Sequence, residues 1–211
     1  MSIKIKLCGL KDEESIIAAK DADYIGFVFY QKSPRFINAI EARKLKPLLR
    51  SNQKIVGLFV NADLNLLYYI NDLLSLDLIQ LHGEEDINYL KKVKKLKKPI
   101  IKAVPVKTSE DIAKAKTFED HCDMILFDTK IDSQISGGSG ISFDWNLLRG
   151  YYSYKNWILA GGINVENVVN ALQVTNAPII DISSGIEKSK GVKCTKMIKK
   201  FMKKVKDYEK E

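Results

Sequence analysis

The chain predicts an α/β fold, a single-domain (β/α)8 barrel spanning residues 1–211, and three observations carry that expectation. Short apolar runs compatible with buried parallel strands recur near 3–8, 24–29, 55–60, 77–81, 100–104, 123–127, 157–160 and 178–182. Segments with helical periodicity lie between them, and strand–helix alternation of this kind calls for parallel strands joined by right-handed crossovers. Finally, nearly every residue capable of chemistry falls just after the last apolar residue of a run, where the active sites of closed parallel barrels lie. An open doubly wound sheet would want one dominant glycine-rich turn near its start, and here the glycine turns come late.

Taken in order, the first run is Ile3-Lys4-Ile5-Lys6-Leu7, closed by Cys8, and helical periodicity follows over 13–20. Further helical stretches are expected at 39–49, 65–74, 86–96, 109–116, 145–148 and 165–172. The fourth run, Leu78-Ile79-Gln80-Leu81, leads into His82, and the sixth, Met124-Ile125-Leu126-Phe127, into Asp128. The seventh and eighth end in Gly161-Gly162 and Ser183-Ser184-Gly185. From Cys194, the apolar residues Met197, Ile198, Phe201, Met202, Val205 and Tyr208 recur at three- and four-residue steps with lysines between them, an amphipathic closing helix. The longest segment without an apolar pattern, 130–142, directly follows Asp128 and reads as an active-site loop.

Composition narrows the function classes. At 211 residues and 45% apolar content the chain can bury one substantial core. No apolar stretch approaches the ~18 to 20 residues needed to cross a bilayer, and the N-terminus lacks a secretory pattern, so a cytoplasmic protein without membrane partners is expected. Three cysteines form no C-x-x-C pair, which argues against disulfide or zinc frameworks and for a reducing compartment. The net charge of +8 sits on lysines of 91–98 and of the stretch from Lys188 onward. These read as solvated helix faces, since no aromatic residues are interleaved with them as a nucleic-acid platform requires, and no nucleic-acid partner is expected.

The glycine turns at 160–164 and 183–186 occupy the two loops that recurrently bind phosphate in this barrel class. Glycines admit an anion close to the backbone, and successive N–H groups supply donors. Gly161, Gly162, Ser183, Ser184 and Gly185 are therefore phosphate candidates, with Gly138 and Gly140 of the turn Gly137-Gly138-Ser139-Gly140 adding donors from the sixth loop. On the first and sixth strands of a closed barrel, Cys8 and Asp128 would face each other across the mouth, where one could give a proton to a substrate and the other remove one.

With those residues in place the sequence resembles the phosphoribosylanthranilate isomerase family over essentially its whole length. The resemblance rests on Lys6-Leu7-Cys8-Gly9-Leu10, Gly26-Phe27-Val28-Phe29 with Ser33-Pro34-Arg35, and Val56-Gly57-Leu58-Phe59-Val60-Asn61. It continues through Gln80-Leu81-His82-Gly83, Phe127-Asp128, Gly137-Gly138-Ser139-Gly140 and Phe143-Asp144-Trp145. It closes with Leu159-Ala160-Gly161-Gly162-Ile163-Asn164, Asp181-Ile182-Ser183-Ser184-Gly185-Ile186-Glu187 and Lys190-Gly191-Val192-Lys193. It implies a TIM barrel catalysing an Amadori rearrangement of N-(5-phosphoribosyl)anthranilate in tryptophan biosynthesis, with neither metal nor organic cofactor and a phosphosugar as the small-molecule partner. By the same resemblance Asp128 is the general acid and Cys8 the general base. Arg35 meets the anthranilate carboxylate, Gln80, His82 and Asp181 bind substrate, and the backbone at Gly162 and Ser184 cradles phosphate. The chain departs from the family pattern at Lys11-Asp12-Glu13-Glu14, at Ser139 and at Ile141-Ser142.

Among other phosphosugar barrels, a ribulose-phosphate epimerase needs metal-ligating histidines near strand ends, and only His82 and His121 exist. An indoleglycerol-phosphate synthase needs strand-end catalytic lysines, whereas the third strand ends Phe59-Val60-Asn61. A basic, non-catalytic phosphate- or nucleic-acid-binding barrel is the competing class. Both homodimer and monomer are compatible with the sequence.

Overall fold

The computed structural model describes residues 2–130 and 142–210. Eight parallel strands close on themselves in the order β1-β2-β3-β4-β5-β6-β7-β8. They are β1 (Lys4–Cys8), β2 (Tyr24–Val28), β3 (Lys54–Phe59), β4 (Leu78–Leu81), β5 (Ile100–Val106), β6 (Met124–Thr129), β7 (Trp157–Leu159) and β8 (Ile179–Ile182). All eight apolar runs become strands, and most are buried on both faces, as parallel strands covered by helices are. Helices α1 (Glu13–Ala18), α2 (Ala39–Leu45), α3 (Leu64–Leu74), α4 (Ile87–Val93), α5 (Ser109–Glu119) and α6 (Val168–Thr175) follow the strands around the ring. Between β6 and β7 a short 3-10 turn at Trp145–Leu148 stands where a helix would, and α7 (Thr195–Tyr208) completes the ring.

Local chemistry starts the helices where the pattern predicts. Asp12, Asn38 and Asp86 accept hydrogen bonds from the backbone N–H groups of Ser15, Glu41 and Tyr89 at 2.8, 2.9 and 2.7 Å, satisfying donors the first turn leaves open. Helix α6 stops at Asn176, whose φ of 52° is the left-handed conformation asparagine tolerates. In α7, Ile198, Phe201 and Val205 are buried while most of its lysines stay exposed, as a solvated face requires.

The core has two concentric parts. Tyr24, Val56, Leu78, Ile101, Leu126, Ile158 and Ile179 fill the barrel interior. The intervening strand residues, among them Leu7, Ile25, Phe27, Leu81 and Phe127, pack outward on helix residues such as Leu67, Leu90, Ala171, Ile198 and Phe201. Alternation along each strand thus settles which side chains face the interior. On β1 they are Lys6 and Cys8, on β4 Leu78 and Gln80 with His82 next, and on β6 Leu126 and Asp128. On β8 they are Ile179 and Asp181, with Ser183 next.

The N-terminal end of the barrel is stitched by three equivalent aspartates. Asp23, Asp77 and Asp123 accept from the backbone N–H groups of Ile5, Ile55 and Ile100 at 2.9, 2.8 and 2.8 Å. Their own N–H groups donate to the carbonyls of the same three isoleucines. Each aspartate just before β2, β4 or β6 therefore anchors the start of the preceding strand.

An antiparallel hairpin, β9 (Glu187–Ser189) and β10 (Val192–Lys193), follows β8 and was not predicted from the sequence. It brings Glu187 and Lys193 under the barrel mouth. Lys193 is buried, unlike the solvated lysines around it, and so departs from the reading of the Lys188-onward stretch as a uniformly solvated face.

Candidate active site

Cys8 ends β1, and its register partner on β2 is Gly26. The glycine is required by the close approach: a Cβ built at position 26 would lie 2.9 Å from the Cys8 Sγ. The thiol is 4% exposed and sits within an apolar collar that includes Val28 and Leu58. Burial pushes its pKa up; the Lys6 charge pulls it back, Asp181 opposes that pull and Lys193 assists it, leaving the thiol above its ordinary value. Cys122, remote from this machinery, is raised by burial to about 11.

Asp128 projects inward near the end of β6. Its Oδ1 accepts the Thr129 backbone N–H at 2.7 Å, and its Oδ2 lies 3.1 Å from the His82 Nε2. The Gln80 side-chain nitrogen is 2.8 Å from the His82 Nδ1. With that amide donating to Nδ1, the imidazole proton sits on Nε2 and points at the Asp128 carboxylate. The side chains of His82 and Asp128 remain 29% and 32% exposed, open to an incoming ligand. Gln80 itself is fully buried behind His82, and its Oε1 has no hydrogen-bond partner among the described residues.

The loop carrying His82 is held from beneath by Glu85. Its carboxylate accepts the Asn61 and Gly83 N–H groups at 2.8 and 2.9 Å, and Lys102 from β5 donates to it at 2.8 Å. Lys102 also donates to the Gly83 carbonyl at 2.6 Å. Removing either member of this buried ion pair would strand a charge, so it pins the loops after β3 and β4.

Arg35 lies on the loop after β2. Its Nε and Nη2 donate to Glu187 Oε1 and Oε2 at 2.6 and 2.9 Å, a bidentate pair. The guanidinium edge through Nη1 carries the capacity for a second carboxylate. Glu187 also accepts from Lys193 Nζ at 2.9 Å and from the Gly191 N–H at 3.0 Å. Burial raises the Glu187 carboxyl, but the Arg35 hydrogen bond and the Lys193 charge outweigh it and hold the group below the ordinary glutamate range. Lys193 extends the network to the Ser183 carbonyl at 2.9 Å, and the Ser183 hydroxyl donates to the Cys8 carbonyl at 3.0 Å. One continuous set of hydrogen bonds therefore links the arginine, the loop after β8 and the end of β1.

The two glycine turns lie side by side, joined by a parallel bridge between Asn164 and Gly185. Gly161 and Gly162 take φ values of 81° and 66°, a conformation only glycine adopts without strain. Asn167 holds the turn by donating from its side-chain nitrogen to the Gly162 carbonyl at 2.9 Å. Glycine turns of this kind let an anion approach the backbone closely.

The predicted residues Cys8, Gln80, His82, Asp128, Asp181, Gly161, Gly162, Ser183, Ser184 and Gly185 thus come to one end of one barrel, with Arg35 at its edge. Asp181 is not freely presented: Lys6 Nζ donates to its Oδ2 at 3.0 Å. Gly138 and Gly140, and the 130–142 loop apart from its two end residues, lie outside the described residues. Glu187, Lys193, Lys6 and Glu85 were missed as contributors. Their inward or loop-bracing orientation depends on strand parity and on a hairpin too short to show periodicity. Among the described residues, no group of three His, Cys, Asp or Glu side chains is arranged to hold a metal ion.

Comparison with known proteins agrees with this fold. The sequence profile described as N-(5'phosphoribosyl)anthranilate (PRA) isomerase matches residues 5–204. The N-(5'-phosphoribosyl)anthranilate isomerase of Rhizobium johnstonii is 41% identical over 202 residues, covering 93% of this chain and 91% of that protein. The crystal structure of phosphoribosyl anthranilate isomerase from Thermotoga maritima superposes with a TM-score of 0.88 at 36% identity, covering 97% of this chain and 99% of that one. A phosphoribosyl anthranilate isomerase crystallised with reduced 1-(o-carboxyphenylamino)-1-deoxyribulose 5-phosphate superposes at 0.85 and 33% identity, covering 97% and 99%. A profile that spans nearly every strand and a relative this similar along almost the full length lead to one conclusion: the chain belongs to the N-(5'-phosphoribosyl)anthranilate isomerase family.

Proposed function

We propose that the chain isomerises N-(5-phosphoribosyl)anthranilate to 1-(2-carboxyphenylamino)-1-deoxyribulose 5-phosphate, an aldose–ketose conversion, with Cys8 and Asp128 as its acid–base pair. The observation that carries the assignment of roles is the inward projection of both side chains at one end of the closed barrel, beside the paired glycine turns. Asp128 protonates the furanose ring oxygen. The C1′–O bond breaks as the amine nitrogen lone pair forms a C=N bond, giving an open-chain Schiff base. Cys8, as thiolate, takes the C2′ proton, and the C2′–H electron pair enters C1′=C2′ while the C=N electrons return to nitrogen. The enolamine then loses its hydroxyl proton and gains a proton at C1′, giving the ketone.

The surrounding groups fit those steps. The His82 Nε2–H, aimed at Asp128, orients the acid and stabilises the carboxylate left after proton transfer. Arg35 takes the anthranilate carboxylate through the guanidinium edge that Glu187 leaves open, and the turns at Gly162 and Ser184 take the phosphate. These contacts fix both ends of an elongated substrate, which turns the proton transfers into positioned, near-unimolecular steps.

The test is the loss of substrate fluorescence when phosphoribosylanthranilate is generated in situ. Turnover by the purified chain, abolished in Cys8→Ala, supports the assignment; absence of turnover in the folded wild-type chain removes it.

A further inference from the structure

Lys6 is fully buried within the barrel, two residues before Cys8 on the same inward face of β1. The interior around it is otherwise packed with Tyr24, Val56, Leu78, Ile101, Leu126 and Ile158. An ammonium here is costly, and an ion pair in such a place contributes little that apolar side chains of similar volume would not. Its Nζ donates to Asp181 Oδ2 at 3.0 Å across the β1–β8 register, where Lys6 and Asp181 are direct partners. Cys8 is its next neighbour on that inward face, and the Lys6 charge acts on the thiol. Asp181 Oδ1 is buried without a partner among the described residues. An ammonium paired with a carboxylate therefore stands beside the thiol in the barrel interior.

We propose that Lys6 is a positioning residue that sets the ionisation of Cys8, with Asp181 as its counterweight. The charges that act on the thiol come from three elements: Lys6 on β1, Asp181 on β8 and Lys193 on β10. Lys6 and Lys193 stabilise a thiolate, and Asp181 opposes it while keeping Lys6 protonated. Burial lowers the Lys6 pKa, and Asp181 and Cys8 more than restore it, leaving it above the ordinary lysine value. Removing the ammonium leaves a buried thiol beside a carboxylate, and its proton then holds on to higher pH. The inference rests on Cys8 being the base, and its primary readout does not depend on turnover.

The experiment titrates the thiolate ultraviolet absorbance of ligand-free protein in a Cys122→Ala, Cys194→Ser background, as a difference against Cys8→Ser in the same background. Lys6→Met is expected to move the Cys8 midpoint up by about one pH unit. In parallel, the rising limb of kcat/KM for Lys6→Met should shift upward by a similar amount, a loss of about tenfold near neutral pH that is recovered at higher pH. An unmoved midpoint in Lys6→Met, with circular dichroism like that of wild type, overturns the proposal. Should Lys6→Met not fold, Lys6→Gln, which keeps a donor for Asp181, decides: a raised midpoint supports the linkage, and an unchanged or lowered one overturns it. A shifted midpoint with no turnover in any variant, wild type included, would leave the electrostatic linkage standing and refute the isomerase assignment instead.

Discussion

At the N-terminal end of the barrel Asp23, Asp77 and Asp123 each close a reciprocal pair of backbone hydrogen bonds with one isoleucine. At the other end Asp128 shares one oxygen with His82 and stands a third exposed, while Asp181 leaves one buried oxygen unpaired. The residue type is the same, and each aspartate sits at or beside a strand end. The difference is in what remains unsatisfied. Carboxylates whose partners are all backbone serve the fold, and carboxylates facing titratable side chains with capacity to spare serve chemistry.

The comparison breaks most visibly if the mouth residues prove dispensable. Cys8→Ala and Asp128→Asn are each expected to lower kcat at least about a hundredfold with thermal stability little changed, since one positioned acid or base contributes about 10² to 10⁴. Turnover near wild type in either variant, by the fluorescence assay, removes that residue from its role. Gly26→Ala sharpens the point without touching a polar atom. The new Cβ displaces the Cys8 thiol, and kcat should fall about tenfold while KM changes little, because a small misplacement of a catalytic group is costly. A KM effect alone would mean that position 26 shapes binding and not the base.

Arg35→Ala should raise KM with a smaller effect on kcat, and unchanged kinetics would refute its carboxylate role. Glu187→Gln should raise KM less, by loosening the arginine, and its stability effect carries a pH signature. The folded-state carboxyl is held below the ordinary glutamate value of 4.5, so its contribution is present above that pH and is lost as pH falls through the folded-state value. The stability gap between wild type and Glu187→Gln, measured by urea denaturation, should therefore narrow on acidification below that value. A gap independent of pH would contradict the charge-assisted network. Asp77→Ala, at the opposite end, should cost about 1 to 3 kcal/mol of stability by orphaning the Ile55 N–H, while kcat at room temperature stays that of wild type. A large kcat loss there would erase the contrast between the two ends.

Much of this arrangement is legible in the chain. Eight apolar runs become eight strands within a few residues of their expected bounds, because strands buried on both faces leave a signal that needs no partner to be read. Cys8, His82 and Asp128 are visible because strand ends in a parallel barrel point one way. Lys6 is not: a lysine alternating with Ile5 and Leu7 looks like a solvent-facing position, yet here the isoleucine and leucine face the helices and the lysine faces the interior. Lys193 hides for a related reason. It lies in a lysine-rich stretch whose five hairpin residues are too few to display a period, and its burial depends on Glu187 and Ser183 arriving from β9 and the end of β8. The Glu85–Lys102 pair joins the loop after β4 to β5 and has no local signature at all.

The central claim is that a thiol and a carboxyl act on one sugar whose phosphate is held by the turns after β7 and β8. A crystal structure of this chain with reduced 1-(o-carboxyphenylamino)-1-deoxyribulose 5-phosphate tests it most directly. The expected complex has the phosphate on the backbone at Gly162 and Ser184, and the Cys8 Sγ and an Asp128 oxygen both within about 3 to 4 Å of the ribulose carbons and oxygens. A ligand bound with its phosphate elsewhere, or touching only one of the two side chains, would contradict it.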